Sequence, residues 1–166
     1  MLIRPETPAD SDAISALTSA AFAKTAYGDQ GEAVIVCALR TAGALAVSLV
    51  AVEGGELLGH VAFSPVAIEG VDGGWFGLGP VSVQPDRQGE GIGAALIRYG
   101  LDILRQRRAA GCVVLGEPDY YRRFGFTTHN SLRFPEAPPE YFLGLSLSGE
   151  SLPEGAVSYH PAFTAG

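Results

Sequence analysis

The feature that most constrains this chain is a glycine-rich turn between an apolar strand and a long amphipathic helix. The strand pattern ends with Val81-Ser82-Val83, and the turn Gln88-Gly89-Glu90-Gly91-Ile92-Gly93 follows it. Alternate glycines have no Cβ, so a ligand can approach the main chain closely. The first turn of a helix carries unpaired N–H groups and the positive end of the dipole, which together bind phosphate groups. Glycine-rich helix starts also serve packing alone, but this spacing favours an anion site.

The composition indicates a single folded domain over residues 1–166. Hydrophobic residues make up 47% of the chain and charged residues 17%, which is typical of a globular protein. The net charge of −7 argues against a nucleic-acid partner. The segment from Arg87 to Arg133 nevertheless carries eight basic and four acidic residues. A basic segment around the turn suits a small polyanionic ligand.

The two cysteines and the absence of targeting signals indicate a compartment. Cys37 and Cys112 lie far apart, and neither has a His or Cys at metal-ligand spacing, so we expect no metal site. We interpret both as small buried hydrophobic residues in a reducing compartment. The N-terminal residues do not resemble a signal peptide, and no stretch of about 18 uncharged apolar residues occurs. We therefore expect a cytoplasmic protein without a membrane partner.

Hydrophobic periodicity predicts an α+β fold. Helices are expected from Asp10, as N-cap, to a break at Gly28-Asp29, and at residues 32–43, 91–110 and 120–124. Strands at 47–52, 57–68 and 75–83 should form an antiparallel meander, with Pro65 at an edge or bulge and a second bulge at Gly79-Pro80. Further strands are expected at 2–4, 112–115, 141–147 and 156–159. The apolar run 112–115 is typical of a parallel pair.

Two known phosphate-binding motifs match the turn poorly. A P-loop is excluded because no Gly-Lys-Ser/Thr follows the glycines. Residues 89–94 satisfy the G-x-G-x-x-A pattern of dinucleotide folds, and Glu117 ends the next strand, where a ribose-binding carboxylate would lie. However, residues 84–88 separate the strand from the glycines, and too little chain follows residue 83 for two βαβαβ halves. A nicotinamide-dependent oxidoreductase is therefore a minor alternative.

The turn at residues 88–93 resembles the Q/R-x-x-G-x-G/A pyrophosphate turn of the GNAT (Gcn-related N-acetyltransferase) superfamily. Residues 121–126, Tyr-Arg-Arg-Phe-Gly-Phe, are similar to its downstream Y-x-x-x-G-F element. Residues 59–66 and the ending Tyr159-His160-Pro161-Ala162-Phe163 further resemble a YhbS-like group within the superfamily. The resemblance implies an α+β, GNAT-like fold. Its central sheet would be mixed and mostly antiparallel, with six to seven strands splayed in the middle and about four flanking helices.

The resemblance also implies acetyl-CoA as the cofactor. The backbone of residues 81–83 would pair with the pantetheine arm, in a slot opened by the bulge at Gly79-Pro80. The N–H groups of the turn would bind the pyrophosphate, and Arg87, Arg122 or Arg123 would meet the 3′-phosphate. The implied cofactor-binding residues are Val81, Ser82, Val83, Arg87, Gln88, Gly89, Glu90, Gly91, Ile92, Gly93 and Ala94.

The implied reaction is direct acetyl transfer to a primary amine of a small molecule or a protein. A backbone N–H near Val83 would hold the oxyanion. Tyr121 matches the family's general acid, which protonates the leaving thiolate, and Tyr120 is its rival. The acceptor pocket would be lined by the first two helices and the C-terminal strands. A CoA-binding module without catalysis is the alternative, and a homodimer is left open.

The general base is less well defined by the sequence. Glu117 is the first candidate, because it lies at the open end of the strand after the cofactor helix. His60 is the second, although a lone histidine on a strand is more often a core residue. His129 and His160 are expected at the surface. Covalent catalysis is not expected, because no serine has a visible His/Asp partner.

Overall fold

The described part of the chain (residues 1–23, 25, 28 and 31–165) contains four α-helices and eight strands in a computed structural model. The helices are α1 (Ser11–Ala23), α2 (Glu32–Thr41), α3 (Ile92–Gln106) and α4 (Pro118–Tyr121). The strands are β1 (Leu2–Pro5), β2 (Val47–Glu53), β3 (Glu56–Ile68), β4 (Val71–Val83), β5 (Gly111–Leu115), β6 (Leu132–Arg133), β7 (Phe142–Ser146) and β8 (Gly155–Tyr159). No helix in these ranges is both long and apolar enough to cross a membrane.

Six strands form a continuous sheet in the order β1-β2-β3-β4-β5-β7. Along this path only β4 and β5 run parallel. β8 pairs with residues 66–68 of β3, beyond the end of β2, and β6 pairs with β8. The mixed, mostly antiparallel sheet and its helices confirm the predicted fold class. They exclude the doubly wound parallel sheet that a dinucleotide fold requires.

Helices cover both faces of the sheet, and the alternation of residues along β2 explains why. Leu49 packs in the main hydrophobic core with Leu96 of α3, whereas its neighbour Val50 packs with Ile14 of α1 and Val36 of α2. Successive side chains of a strand point to opposite faces. A strand between two covered faces is expected to be apolar on both, and residues 49–52 of β2 are apolar without a break.

The middle of the sheet opens where β4 and β5 separate. Their pairing begins with Trp75 opposite Gly111 and ends with Leu78 opposite Val114. On its other edge, β4 stays paired with β3 as far as Val83. Residues 79–83 therefore have one main-chain edge without a paired strand in the described part of the chain. The predicted splay of the sheet is confirmed here.

Each of the two strand prolines lies where the pairing of its strand is irregular or absent on one edge. In the β3–β4 ladder, Val61 faces Val81 and Phe63 faces Leu78, so residues 79 and 80 oppose Ala62 alone. This two-against-one register is the predicted bulge at Gly79-Pro80. Pro65 lies between the end of the β2 pairing and the start of the β8 pairing on the same edge of β3. Its missing N–H therefore costs no hydrogen bond to either strand.

Asp10 is not the N-cap that the sequence suggested. A 3₁₀ turn (Pro8–Asp10) precedes α1, and Thr7 is its N-cap. The Asp10 carboxylate accepts a hydrogen bond from the Thr7 N–H at 2.7 Å, as the third residue of a capping box does. Arg4 also donates to it at 2.7 Å, and this bond is the main reason that the pKa of Asp10 lies well below its usual value. Asp29, at the predicted break, lies outside the described residues.

Two further predictions are corrected by the structure. α3 ends at Gln106 rather than at residue 110, because Arg108 has a φ of +59°, which an α-helix does not accommodate. Cys112 is buried as predicted, but Cys37 on α2 is exposed. Both cysteines are free thiols.

Candidate active site

Two cavities lie beside the parted strands and adjoin at Phe22 and Val81, which line both. We call the first the turn cavity; its volume is about 340 Å³. Its described lining residues are Ala21, Phe22, Thr25, Val81, Val83, Arg87, Gln88, Gly89, Gly91, Ile92, Gly93, Ala94, Tyr120 and Arg123. We call the second the aromatic cavity; its volume is about 650 Å³. Its described lining residues are Phe22, Glu32, Ile35, Leu78, Gly79, Pro80, Val81, Leu115, Tyr121, Phe134, Glu136, Ser158, Tyr159, His160, Pro161, Phe163 and Thr164.

The glycines of the turn leave their main chain open to the turn cavity. Gly89 and Gly91 have φ angles of +82° and +85°, and no atom lies within 4 Å of where a Cβ on either would stand. The first hydrogen bond that closes α3 runs from the Ala95 N–H to the Gly91 carbonyl at 3.0 Å. The N–H groups of residues 92–94 precede it and have no intrahelical acceptor. The turn is therefore shaped to bind an anion.

The structure brings all but two of the predicted cofactor-binding residues to the turn cavity. The exceptions are Ser82 and Glu90. The Ser82 side chain is buried on the opposite face of β4, where its hydroxyl donates to the Thr18 hydroxyl at 3.4 Å. Glu90 is exposed and accepts a hydrogen bond from Arg87 Nε at 3.0 Å. The prediction for Ser82 concerned its backbone, which lies in the part of β4 that has one edge without a paired strand.

The polar side chains around the turn are held in place by neighbouring groups. Gln88 Nε2 donates to the Val83 carbonyl at 3.2 Å, across the gap between the strand and the turn. The Arg123 guanidinium stacks over the Tyr120 ring, 4.4 Å from its centroid. Arg122 instead pairs with Asp119 at 3.0 Å and lines neither cavity. Of the three arginines considered for the 3′-phosphate, Arg87 and Arg123 therefore lie at the turn cavity.

The two adjacent tyrosines of α4 face different cavities. Tyr120 lines the turn cavity, and a Cβ on Gly93 would lie 3.5 Å from its hydroxyl oxygen. Tyr121 lines the aromatic cavity and packs edge-on against Phe126, with ring centroids 6.1 Å apart. Burial raises the pKa of Tyr121 to about 12, so its phenol is protonated at neutral pH. Burial also raises the pKa of Tyr120.

His60 belongs to a buried network rather than to either cavity. Ser48 donates its hydroxyl hydrogen to Glu6, so His60 Nε2–H must donate to the Ser48 oxygen, 2.8 Å away. Arg40 Nε completes the chain by donating to Glu6 at 2.8 Å. Burial lowers the pKa of His60 to about 4, which keeps the ring neutral. The core interpretation of His60 is confirmed; Ser64 is likewise buried and lines neither cavity.

Glu117, the first candidate for the base, and His160 lie in different surroundings. Glu117 is exposed at the N-cap of α4 and lines neither cavity. His160 is half-buried and lines the aromatic cavity, so the expectation that it lies at the surface is wrong. Its Nδ1 accepts the Ala162 N–H at 3.0 Å, which leaves Nε2 as a donor in the neutral ring.

Comparison with known proteins identifies the family. Residues 2–129 match the sequence model of the acetyltransferase (GNAT) domain. The chain belongs to the GNAT family. It is 41% identical over 136 residues to the Escherichia coli K12 protein named uncharacterized N-acetyltransferase YhbS. The aligned region covers 80% of this chain and 78% of that relative.

Solved GNAT structures match almost the whole chain. A GNAT family acetyltransferase from Brucella melitensis, in complex with acetyl-CoA, superimposes with a TM-score of 0.88 and 53% identity, covering 98% of this chain and 97% of that one. YhbS from E. coli, in complex with CoA, superimposes with a TM-score of 0.87 and 36% identity, covering 98% of this chain and 91% of that one. The C-terminal strands, which lie beyond the matched GNAT domain, are thus shared with these relatives.

The sequence of this GNAT chain predicts the residues of the turn but few of those that line the aromatic cavity. The expectation that the first two helices and the C-terminal strands line a pocket is confirmed by Phe22, Ile35 and Tyr159. Phe134 and Glu136 were missed, because they lie in an irregular segment without periodicity. The proline-rich spacing of that segment gives no sign of which side chains turn inward.

Proposed function

We propose that this chain transfers the acetyl group of acetyl-CoA to a primary amine. One observation carries the proposal: the unpaired edge of β4 at residues 79–83 runs from the glycine turn to the boundary between the two cavities. A linear cofactor arm can add to such an edge as an extra strand. In that position the turn would hold its phosphates, and its far end would lie toward the aromatic cavity, which Tyr121 lines.

The residues of the turn fit a coenzyme A diphosphate. The space that a Cβ on Gly89 or Gly91 would occupy is open, so oxygen atoms can approach the main-chain N–H groups. The Arg87 and Arg123 side chains supply positive charge at the rim of the same cavity. When bound, acetyl-CoA supplies an activated acetyl thioester for transfer. The two solved relatives described above contain acetyl-CoA and CoA, which supports this assignment.

Tyr121 is the proposed catalytic residue. Its hydroxyl carries a proton at neutral pH, and it lines the aromatic cavity, which adjoins the turn cavity at Phe22 and Val81. A protonated phenol there can donate to a thiolate that leaves toward the turn cavity. Phe22 and Val81 give this junction apolar walls.

Glu117 stays our prediction for the base, acting through water. Its carboxylate is exposed and lines neither cavity, so it cannot contact an amine held against Tyr121 directly. A water chain from the end of β5 would carry the proton. We also propose a cytoplasmic location, which the free Cys37 and Cys112 thiols support.

Calorimetric titration with acetyl-CoA tests the proposal, followed by measurement of thiol release with a panel of primary amines. We expect acetyl-CoA to bind with one site per chain and amines to accelerate release of the CoA thiol. Absence of binding at millimolar acetyl-CoA would contradict the proposal. Tight binding without amine-dependent release by any member of the panel would favour a CoA-binding module.

A further inference from the structure

The aromatic cavity has a continuous wall of rings. Phe134 and Tyr159 meet edge to face with centroids 5.2 Å apart, and Tyr159 and Phe163 follow at 5.1 Å. The back of the Tyr159 ring rests on Gly77, where a Cβ would lie only 2.6 Å from the ring. Rings held in this way present a large apolar surface at little conformational cost.

One charged side chain of this cavity bears on the acceptor. Glu136 lines the cavity with an exposed carboxylate, and none of the described lining residues is a lysine or an arginine. The Glu136 carboxylate would repel a carboxylate or phosphate on an acceptor, and no cation among these described residues would pair with it. An ammonium group would be attracted by the same carboxylate.

The cavity also gives an acceptor a direction. Phe22 and Val81 lie at the junction with the turn cavity, while Tyr121, Phe163 and Glu136 line the aromatic cavity itself. An acceptor with its apolar body against the rings can therefore direct an amine toward the junction. A sugar-like body would leave unpaired those of its hydroxyl groups that meet the Phe134 and Phe163 rings, which carry no hydrogen-bonding group.

We propose that the acceptor is a small primary amine on an aromatic or aliphatic body that carries no anionic group. The inference rests on the proposed function, because it concerns the amine side of the same site. The aromatic wall selects the body, and the Glu136 carboxylate selects against acceptors that bear a carboxylate or phosphate. The concave shape favours a small molecule over a lysine on a folded protein.

A matched pair of amines tests the selectivity. Phenethylamine and phenylalanine share one body and one amine, and they differ by the carboxylate. Glucosamine supplies a polar body of similar size. We expect kcat/KM for phenethylamine to exceed that for phenylalanine and for glucosamine by at least roughly tenfold, since an unpaired buried charge is costly. Calorimetry on the CoA-bound protein should show phenethylamine binding without turnover.

Variants of two exposed carboxylates connect the selectivity to the cavity. Glu136→Gln should raise KM for phenethylamine by about threefold or more, and Glu136→Lys should lower the preference for phenethylamine over phenylalanine by a similar factor. Glu140→Gln is the matched control, because Glu140 is exposed nearby and lines neither cavity. It should change neither value.

The outcomes separate the two proposals. Failure of acetyl-CoA to bind overturns the proposed function itself. If acetyl-CoA binds, the acceptor inference is overturned by equal or better turnover of phenylalanine, glucosamine or a lysine peptide, by absence of phenethylamine binding, or by unchanged kinetics of Glu136→Lys. Preferential turnover and binding of phenethylamine, with selectivity that follows the charge at Glu136, supports it.

Discussion

Tyr120 and Tyr121 are neighbours in the sequence, yet their rings stand perpendicular, with centroids 5.0 Å apart, and line different cavities. Consecutive residues of a helix point about 100° apart, so a helix of one turn divides them between its sides. Tyr120 faces the glycine turn and Tyr121 faces the aromatic cavity. The two hydroxyl groups cannot therefore exchange roles.

This division predicts different consequences for removing each hydroxyl. Tyr121→Phe should lower kcat by about 100-fold or more, the range for loss of a general acid, while the Kd of acetyl-CoA is unchanged. Tyr120→Phe is the matched control and should reduce kcat by less than about tenfold. Steady-state kinetics and calorimetry measure both values. A larger loss of kcat in Tyr120→Phe would reverse the assignment.

Two glycines of the turn should respond differently to alanine. Gly91 has a φ of +85°, so Gly91→Ala introduces strain of about 1 kcal/mol or more and places a Cβ in the turn cavity. We expect the Kd of acetyl-CoA to rise roughly tenfold or more. Gly93 is helical, and a Cβ there meets the Tyr120 hydroxyl at an ordinary 3.5 Å. Gly93→Ala should therefore fold and bind nearly as the wild type does; equal affinities for the two variants would contradict the assignment.

The buried His60 predicts a loss of stability in mild acid. The unfolded chain binds a proton at this histidine below about pH 6.5, whereas the folded chain does so only near pH 4, because burial lowers the pKa. The unfolded state therefore binds more protons between these values, and the free energy of unfolding falls as the pH falls. Urea denaturation should show a loss of roughly 2 kcal/mol from pH 6.5 to pH 5 from this group.

Substitution of His60 identifies the source of that pH dependence. His60→Gln should remove most of the slope, while His129→Gln, at a half-buried position outside the network, should keep it. If His60→Gln does not fold, NMR titration of the His60 ring in the wild type gives its pKa directly. A pKa near 6.5 would show that burial does not hold the ring neutral.

The close approach of α3 to β3 depends on Gly100. A Cβ on Gly100 would overlap the Phe63 ring, which is fully buried. We expect Gly100→Ala to lower the free energy of unfolding by about 1–3 kcal/mol, as overpacked cores do, although alanine favours helix. Adding Phe63→Leu should restore part of the loss. Gly93→Ala, in the same helix without overlap, should be neutral or stabilising in the same denaturation experiment.

The sequence predicted those parts of the fold that depend on local patterns. The glycine turn, the apolar face of α3 and the bulge at Gly79-Pro80 each follow from the chemistry of residues that are close in sequence. The end of α3 could not be predicted, because Arg108 adopts a left-handed conformation that arginine does not signal. β6 has two residues, which is too short for any periodicity.

The site was predictable only where main-chain groups form it. Gln88 and the glycines reached the turn cavity as expected, since spacing along one turn determines their positions. The aromatic cavity joins α1, α2, α4 and β8, so its residues are far apart in sequence. His160 illustrates why such residues are hard to predict. Its hydrogen-bond donor, the Ala162 N–H, lies two residues away, but its position beside the cavity depends on the pairing of β8 with β3.

The proposed acetyl transfer requires main-chain amides of the turn to hold the diphosphate of acetyl-CoA. Titration of ¹⁵N-labelled protein with acetyl-CoA, followed by amide chemical shifts, measures this contact residue by residue. We expect the largest shifts at Gly89, Gly91 and Gly93, with a second group at residues 81–83. Saturable binding that leaves these amides unmoved, or no shifts at millimolar acetyl-CoA, would contradict it.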